Sequence, residues 1–463
     1  MDAPLAMPPV DSARNDAYGL RKHSLSPLET LAQSVSSVAP TAGPTLLVPL
    51  VFGMAGNGTW LSYSLATIAI YFVALNISTF ARYSASPGSL YAYTTSVLTG
   101  PFGRLSAWSL LLAYVGTASA VTGGFINYAN VLLHFFFGIE VSKLLLTAVV
   151  VVIAVWVAYR DVKISARVML WFEAISVTLI GLVILITLWK NGSHFDAGQF
   201  QLRGATPSGI RLGLVLAMFS FVGFESATTL GEEARNPLKT VPRAVVLSAV
   251  FAGVFFVVSA YTEVLGFRLA GQDLGQTTSP LQLLAERAGI GFVGPLIAVG
   301  AVVSFFACTL ACITAGARVL LLMARNGLAH AHLGRTHANN ETPHIAVLAV
   351  GLCAFLPAAV FVAQGASGFD VNGWMGSLAT YGFVTAYILV SIAMPLHLHK
   401  HGHLSLQAGA VSAIAALCML LALAGSIYPI PPEPYPRLLG FYFFYLAAGF
   451  VWSIFCDRRS SHS

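Results

Sequence analysis

Glu225 lies inside an apolar run, with Phe219, Ser220, Phe221, Val222, Gly223 and Phe224 before it and Ser226 after it. A carboxylate at membrane depth costs about 3 kcal/mol on insertion scales, so it normally faces a cavity or a partner and marks a functional place by default. Gly223 permits unwinding or close approach, and Ser220 and Ser226 flank it with hydroxyls. A carboxylate so placed suits a proton carrier or pH sensor. The competing reading is that Glu225 bonds backbone near the membrane edge and only pins an irregular helix. Beyond it the chain turns polar and Pro-marked, from Glu232 to Pro242.

A comparable irregularity sits near the N-terminus, over Ser34–Pro44. Pro40 has no N–H and disfavours helix at Ala39. Gly43 and Pro44 weaken the helix again, while Ser34, Ser36, Ser37 and Thr41 bring hydroxyls. An opening between Val38 and Gly43 would free the N–H groups of Thr41, Ala42 and Gly43 at the start of a second half-helix. Such an end is an anion site and suits a substrate carboxylate. A Pro-kinked continuous helix, its hydroxyls bonded back to carbonyls, is the other reading.

Glu173 is a second intramembrane carboxylate, with Arg167 about one and a half turns away; it reads either as a locally paired structural residue or as a proton or cation site. Glu263 lies near the far end of a later span and reads as a pathway or interface residue. Tyr114 and Tyr381 are pocket candidates, although aromatic residues in membrane helices usually pack. His397, His399, His401 and His403 resemble a metal tract but read as a weakly basic loop, and no metal or cofactor is assigned. The five cysteines fall in apolar segments and imply no disulfide framework. Metalloprotease, phosphate-loop and nucleophile-elbow motifs are absent, so the chain reads as a non-enzyme.

The elements that must carry these residues follow from composition. The 463 residues are 57% hydrophobic and 9% charged, against about 25% charged in soluble proteins. Backbone groups in lipid must be satisfied internally, and runs of about 20 apolar residues fit helices rather than barrel strands. We expect an all-α polytopic membrane protein of twelve transmembrane helices. A polar tail over 1–27 precedes a membrane domain over 28–456, and a short tail follows over 457–463. Residues 278–290 are amphipathic and predict a short surface helix. Of the 24 Lys and Arg residues, 17 fall on one side of this topology, which places both termini in the cytoplasm. The net charge of +6 is thus topogenic and calls for no nucleic acid. Interrupted segments open the first and sixth spans, five apart, so the second half must be inverted. Breaks at matching positions of two halves point to a secondary transporter's binding site.

The run FSFVGFESATTLGEEARNPLKTVPRAV resembles the sixth-span signature of the amino acid–polyamine–organocation superfamily of secondary transporters. PGSLYAYTTSVLTGPFGRLSAW, SFFACTLACITAGARVLLLMARNGL and YGFVTAYILVSIAMP resemble three further stretches of that family. The resemblance implies a five-plus-five inverted repeat, over 28–200 and 201–396, with two helices added over 397–456. It also implies alternating access, an aromatic gate at Phe219 and a coupling role at Glu225. Two departures stand out. The family's Gly-x-Gly break is replaced by Pro40-Thr41-Ala42 followed by Gly43, and no lysine stands near Ser176, where some members carry one.

The expected function is secondary transport of amino acids or related amines across the cytoplasmic membrane. It would be coupled to protons or sodium, or run as exchange. The expected binding residues are Ser37, Val38, Ala39, Thr41, Ala42, Gly43, Phe219, Ser220, Phe221, Val222 and Gly223, with Phe219, Glu225 and Glu173 gating or coupling. A polyamine carrier and a non-transporting sensor of the same fold are the alternatives.

Overall fold

The computed structural model describes residues 20, 23–160, 163–191, 196–428 and 430–460, without the side chains of 163–169 and 457–460. Arg167 and the terminal stretches 1–19 and 461–463, all read above, lie outside this description.

Sixteen α-helices carry the described chain: α1 Pro27–Val38, α2 Val48–Ala55, α3 Thr59–Ala81, α4 Ser89–Thr95, α5 Pro101–Phe137, α6 Lys143–Arg160, α7 Lys163–Asn191, α8 Ala197–Phe200, α9 Pro207–Phe219, α10 Pro237–Ala270, α11 Pro280–Ala288, α12 Val293–Arg325, α13 His344–Ala363, α14 Gly368–Lys400, α15 Leu406–Ile427 and α16 Tyr435–Ser460. Among the described residues there is no strand, only one bridge between Leu25 and Ala234. Ten stretches are long and apolar enough to cross a membrane. The first runs from Pro27 to Ala81 and contains two of the expected spans; Pro207–Phe219 is a shorter apolar helix where the sixth is expected. The amphipathic segment at 278–290 forms α11.

Burial sorts the helices. The spans of α5, α12 and α14 are mostly enclosed, whereas α6, α7, α15 and α16 bury a third or less and present apolar side chains outward. At a rise of about 1.5 Å per residue, α5 with its 37 residues exceeds a hydrocarbon core of about 30 Å and must tilt or protrude. Small residues let α5 and α14 approach closely: Gly116 faces Ala379, and Gly123 faces the Gly368 carbonyl.

Two helices stop inside the bundle. Ser26 and Glu29 close a capping box at the start of α1. The helix ends at Val38, because Ala39 turns left-handed at φ 48° and Pro40 offers no N–H. A π turn over Gly43–Leu47 then leads into α2. In the second half α9 ends at Phe219; turns follow, and a 3-10 segment over Ser226–Leu230. Residues 23–25 lie against 232–235, where the Leu25 N–H donates to the Glu233 carbonyl at 2.8 Å and Arg235 N–H returns to Leu25 at 2.8 Å.

Candidate binding site between the two breaks

Side chains of the first break satisfy backbone groups of the second. Ser34 Oγ donates to the Phe224 carbonyl at 2.7 Å and accepts from the Ala227 N–H at 3.1 Å. Ser226 Oγ donates to the Gln33 carbonyl at 3.1 Å. Gly223 holds φ +95°, and any Cβ there would lie 2.5 Å from Ser37 Cβ. Glycine is required at 223 on both counts.

Between the breaks lies a buried cavity of about 10 Å³, room for about one water. Its wall combines Ser37, Val38, Ala39, Ala42 and Leu47 with Thr117, Val121, Phe219, Val222, Phe305, Cys308 and Asn372. Most of these are apolar. Two polar atoms in this wall, Ser37 Oγ and Asn372 Oδ1, are buried without a hydrogen-bond partner. The Asn372 amide is oriented by donating its Nδ2 to the Ala120 carbonyl at 3.0 Å, which leaves Oδ1 as a free acceptor. Phe219 closes one side, its ring so near Gly376 of α14 that a Cβ there would come within 2.5 Å of it.

The expected binding residues divide into two groups. Ser37, Val38, Ala39, Ala42, Phe219 and Val222 line the cavity. The others face elsewhere. Thr41 turns to Glu173, Gly43 abuts Phe256, and Ser220 Oγ sits 3.0 Å from Tyr63 OH. Phe221 packs edge-on against Phe256 with centroids 5.3 Å apart, and Gly223 supports Ser37. Asn372, Phe305 and Thr117 join from α14, α12 and α5. Of these only Asn372, an amide two residues after Asp370 in GFDVNGWMG, left a trace in the sequence.

Both expected coupling carboxylates accept hydrogen bonds from protein donors. Glu173 of α7 accepts the Thr41 N–H and the Thr41 hydroxyl, both at 2.7 Å, and Ser304 of α12 approaches the same group. Glu225 accepts Tyr114 OH of α5 on one oxygen and Tyr387 OH of α14 on the other, each at 2.8 Å. Glu233 forms a buried two-pronged pair with Arg318 of α12, at 2.9 and 2.8 Å. Tyr381, expected near a pocket, lines a separate small cavity with Met54, Leu212, Leu216 and Tyr435, and its ring packs at a tilt against Tyr442. Among the described residues no cluster could hold a metal ion.

The amino acid permease family model matches residues 32–456. The branched-chain amino acid permease BcaP of Bacillus subtilis is 28% identical over 73% of each chain. The low-affinity putrescine importer PlaP of Escherichia coli is 26% identical over 74% of each. Among solved structures, an outward-open Na+-coupled sialic acid symporter superposes with a TM-score of 0.54 at 13% identity, covering 90% of this chain and 93% of its own.

Proposed function

The chain belongs to the amino acid permease family, and on that premise we propose that it carries neutral amino acids with apolar side chains across the membrane. One observation carries the choice of substrate. The wall between the breaks is mostly apolar and holds no carboxylate, while Glu173 and Glu225 are bonded to protein donors. A diamine would need a carboxylate in that wall; a zwitterion with an aliphatic side chain does not. Asn372 Oδ1 and Ser37 Oγ receive the ammonium. The helix start after the first break receives the carboxylate, the Ala42 N–H leaving the Ala39 carbonyl to which it donates at 2.8 Å in this conformation. The similarity to BcaP is consistent with this substrate class.

Admitting such a solute requires the cavity to grow, so Phe219 leaves Gly376 and acts as the gate. The gate belongs to an alternating-access cycle in twelve spans, built as an inverted five-plus-five repeat with two added helices and both termini cytoplasmic. Glu173 and Glu225 couple that cycle to a proton; sodium coupling and exchange are the other modes to be tested. Protein purified into liposomes and offered L-leucine, L-alanine and putrescine under proton, sodium and exchange gradients tests the reading. Flux of leucine or alanine is expected. Flux of putrescine alone would move the assignment to amine carriers. Binding without flux under every gradient would leave a sensor.

A further inference from the structure

We propose that a groove between α1, α7 and α10 binds an anionic phospholipid, with one acyl chain lying in the groove and the phosphate held by Lys239 and Arg243. The groove encloses about 290 Å³. Leu31 and Pro40 wall it along the first broken segment, Ala174 and Val177 along α7, and Leu247 and Phe251 along α10. Among the described residues of this wall only Glu173 and Ser248 carry polar side chains, and both are spent inside the protein. Glu173 accepts both donors of Thr41 at 2.7 Å, and Ser248 Oγ donates to the Ala244 carbonyl at 2.8 Å. The surface left for an occupant is apolar.

Ala174, Leu247 and Phe251 are exposed, so the groove opens sideways. It shares no wall residue with the cavity between the breaks. From Leu31 to Pro40 it rises about 12 Å, most of the roughly 15 Å that one leaflet contributes to a hydrocarbon core. That is the reach of an acyl chain from one side of the bilayer.

The starts of α1 and α10 lie together, because the Leu25 N–H donates to the Glu233 carbonyl and the Arg235 N–H to the Leu25 carbonyl, each at 2.8 Å. Both helices climb from there past the groove. On α10, Arg243 stands one turn before Leu247, and Lys239 one turn before Arg243, at a spacing that stacks side chains along one flank. Both cations are exposed, and among the described residues neither pairs with a carboxylate. Cations at the membrane edge below an apolar slot one leaflet deep complement a phosphate and its acyl chain. A sterol would fill the slot and leave the cations unmet; a soluble phosphate would meet the cations and leave the slot empty.

The deep end of the groove touches the first break. Pro40 lies in its wall, and Glu173 holds Thr41 from the same place. A chain seated there packs behind that contact and fills the space between α1 and its two neighbours. The lipid therefore favours this conformation, and movement of α1 away from α7 or α10 must displace it. None of this depends on which solute is carried.

Thermal unfolding of the purified full chain in detergent, with added dioleoylphosphatidylglycerol, dioleoylphosphatidylcholine or soluble glycerol 3-phosphate, tests the site. Phosphatidylglycerol should raise the melting temperature by several degrees beyond phosphatidylcholine, as a ligand of the native state does. Glycerol 3-phosphate should have no such effect. Lys239→Ala with Arg243→Ala should erase the difference between the two lipids. Ala174→Phe fills the groove, leaves both cations in place and should erase it too. Native mass spectrometry separates binding from any change in folding: phosphatidylglycerol should stay on the wild type and be lost from both variants. Equal stabilisation by the two lipids, or a preference that survives the double variant, overturns the headgroup assignment. A preference that survives Ala174→Phe, or a matching effect of glycerol 3-phosphate, overturns the groove.

Discussion

Both donors of Thr41, its backbone N–H and its hydroxyl, meet the same oxygen of Glu173, each at 2.7 Å. The N–H expected to await a substrate anion is held by an internal carboxyl oxygen, and α7 is thereby tied to the first break. Replacing Glu173 by Ala leaves two buried donors unmet, at about 1–3 kcal/mol each, and should lower the melting temperature. Glu173→Gln keeps a carbonyl oxygen for Thr41 but carries no titratable proton. It should therefore fold and bind solute, while the pH dependence of L-leucine uptake flattens. Loss of leucine binding itself in Glu173→Gln would place the carboxylate on the substrate instead.

Phe219 and Gly376 make a second sharp test. The phenyl ring occupies the space a Cβ at 376 would need, so Gly376→Val must drive the ring elsewhere. Uptake should fall at least tenfold in that variant. Removing the ring in Phe219→Ala together with Gly376→Val should restore part of it. Phe219→Ala alone should let larger side chains compete, read as stronger inhibition of leucine uptake by L-phenylalanine.

The features legible in the sequence were those that violate an apolar background. Pro40, Gly43, Gly223 and the glutamates are conspicuous because hydrocarbon penalises polar atoms and helix interiors penalise Pro and Gly. Hydropathy likewise marks the helices one by one. It does not say which helix meets which. Phe305 and Thr117 look like any packed residue until α12 and α5 fold beside the breaks. Direction was hidden as well: Thr41 and Ala42 are neighbours in sequence, yet one faces Glu173 and the other the cavity. Nothing in the sequence marks Glu233 and Arg318 as partners, because 85 residues separate them.

Glu225 is suspended between Tyr114 of α5 and Tyr387 of α14, one hydroxyl to each oxygen. These three residues join the second break to the two most enclosed helices. Tyr387→Phe removes one of the two tyrosine hydrogen bonds to Glu225 and leaves a buried acceptor unmet, at about 1–3 kcal/mol, while the ring packing stays intact. Reduced uptake with near-unchanged leucine affinity is expected, since Glu225 lies outside the cavity wall. A large loss of affinity with normal maximal uptake would contradict that placement. Double variants with Tyr114→Phe should show a coupling energy different from zero, because both hydroxyls serve one carboxylate.

The pair between Glu233 and Arg318 ties the loop after the second break to α12, on the side where residues 23–25 lie against 232–235. Breaking a buried pair by removing one partner strands the other charge, at about 3–5 kcal/mol, whereas replacing both by apolar residues is often neutral or stabilising. Glu233→Ala should therefore lower the melting temperature strongly, and Glu233→Met with Arg318→Met should recover most of it. Recovery of stability need not bring recovery of transport. If the pair serves only to hold the fold, the double variant should transport normally. If it is a latch that must close and reopen in each cycle, the double variant should be stable yet slow, with exchange and net uptake reduced together.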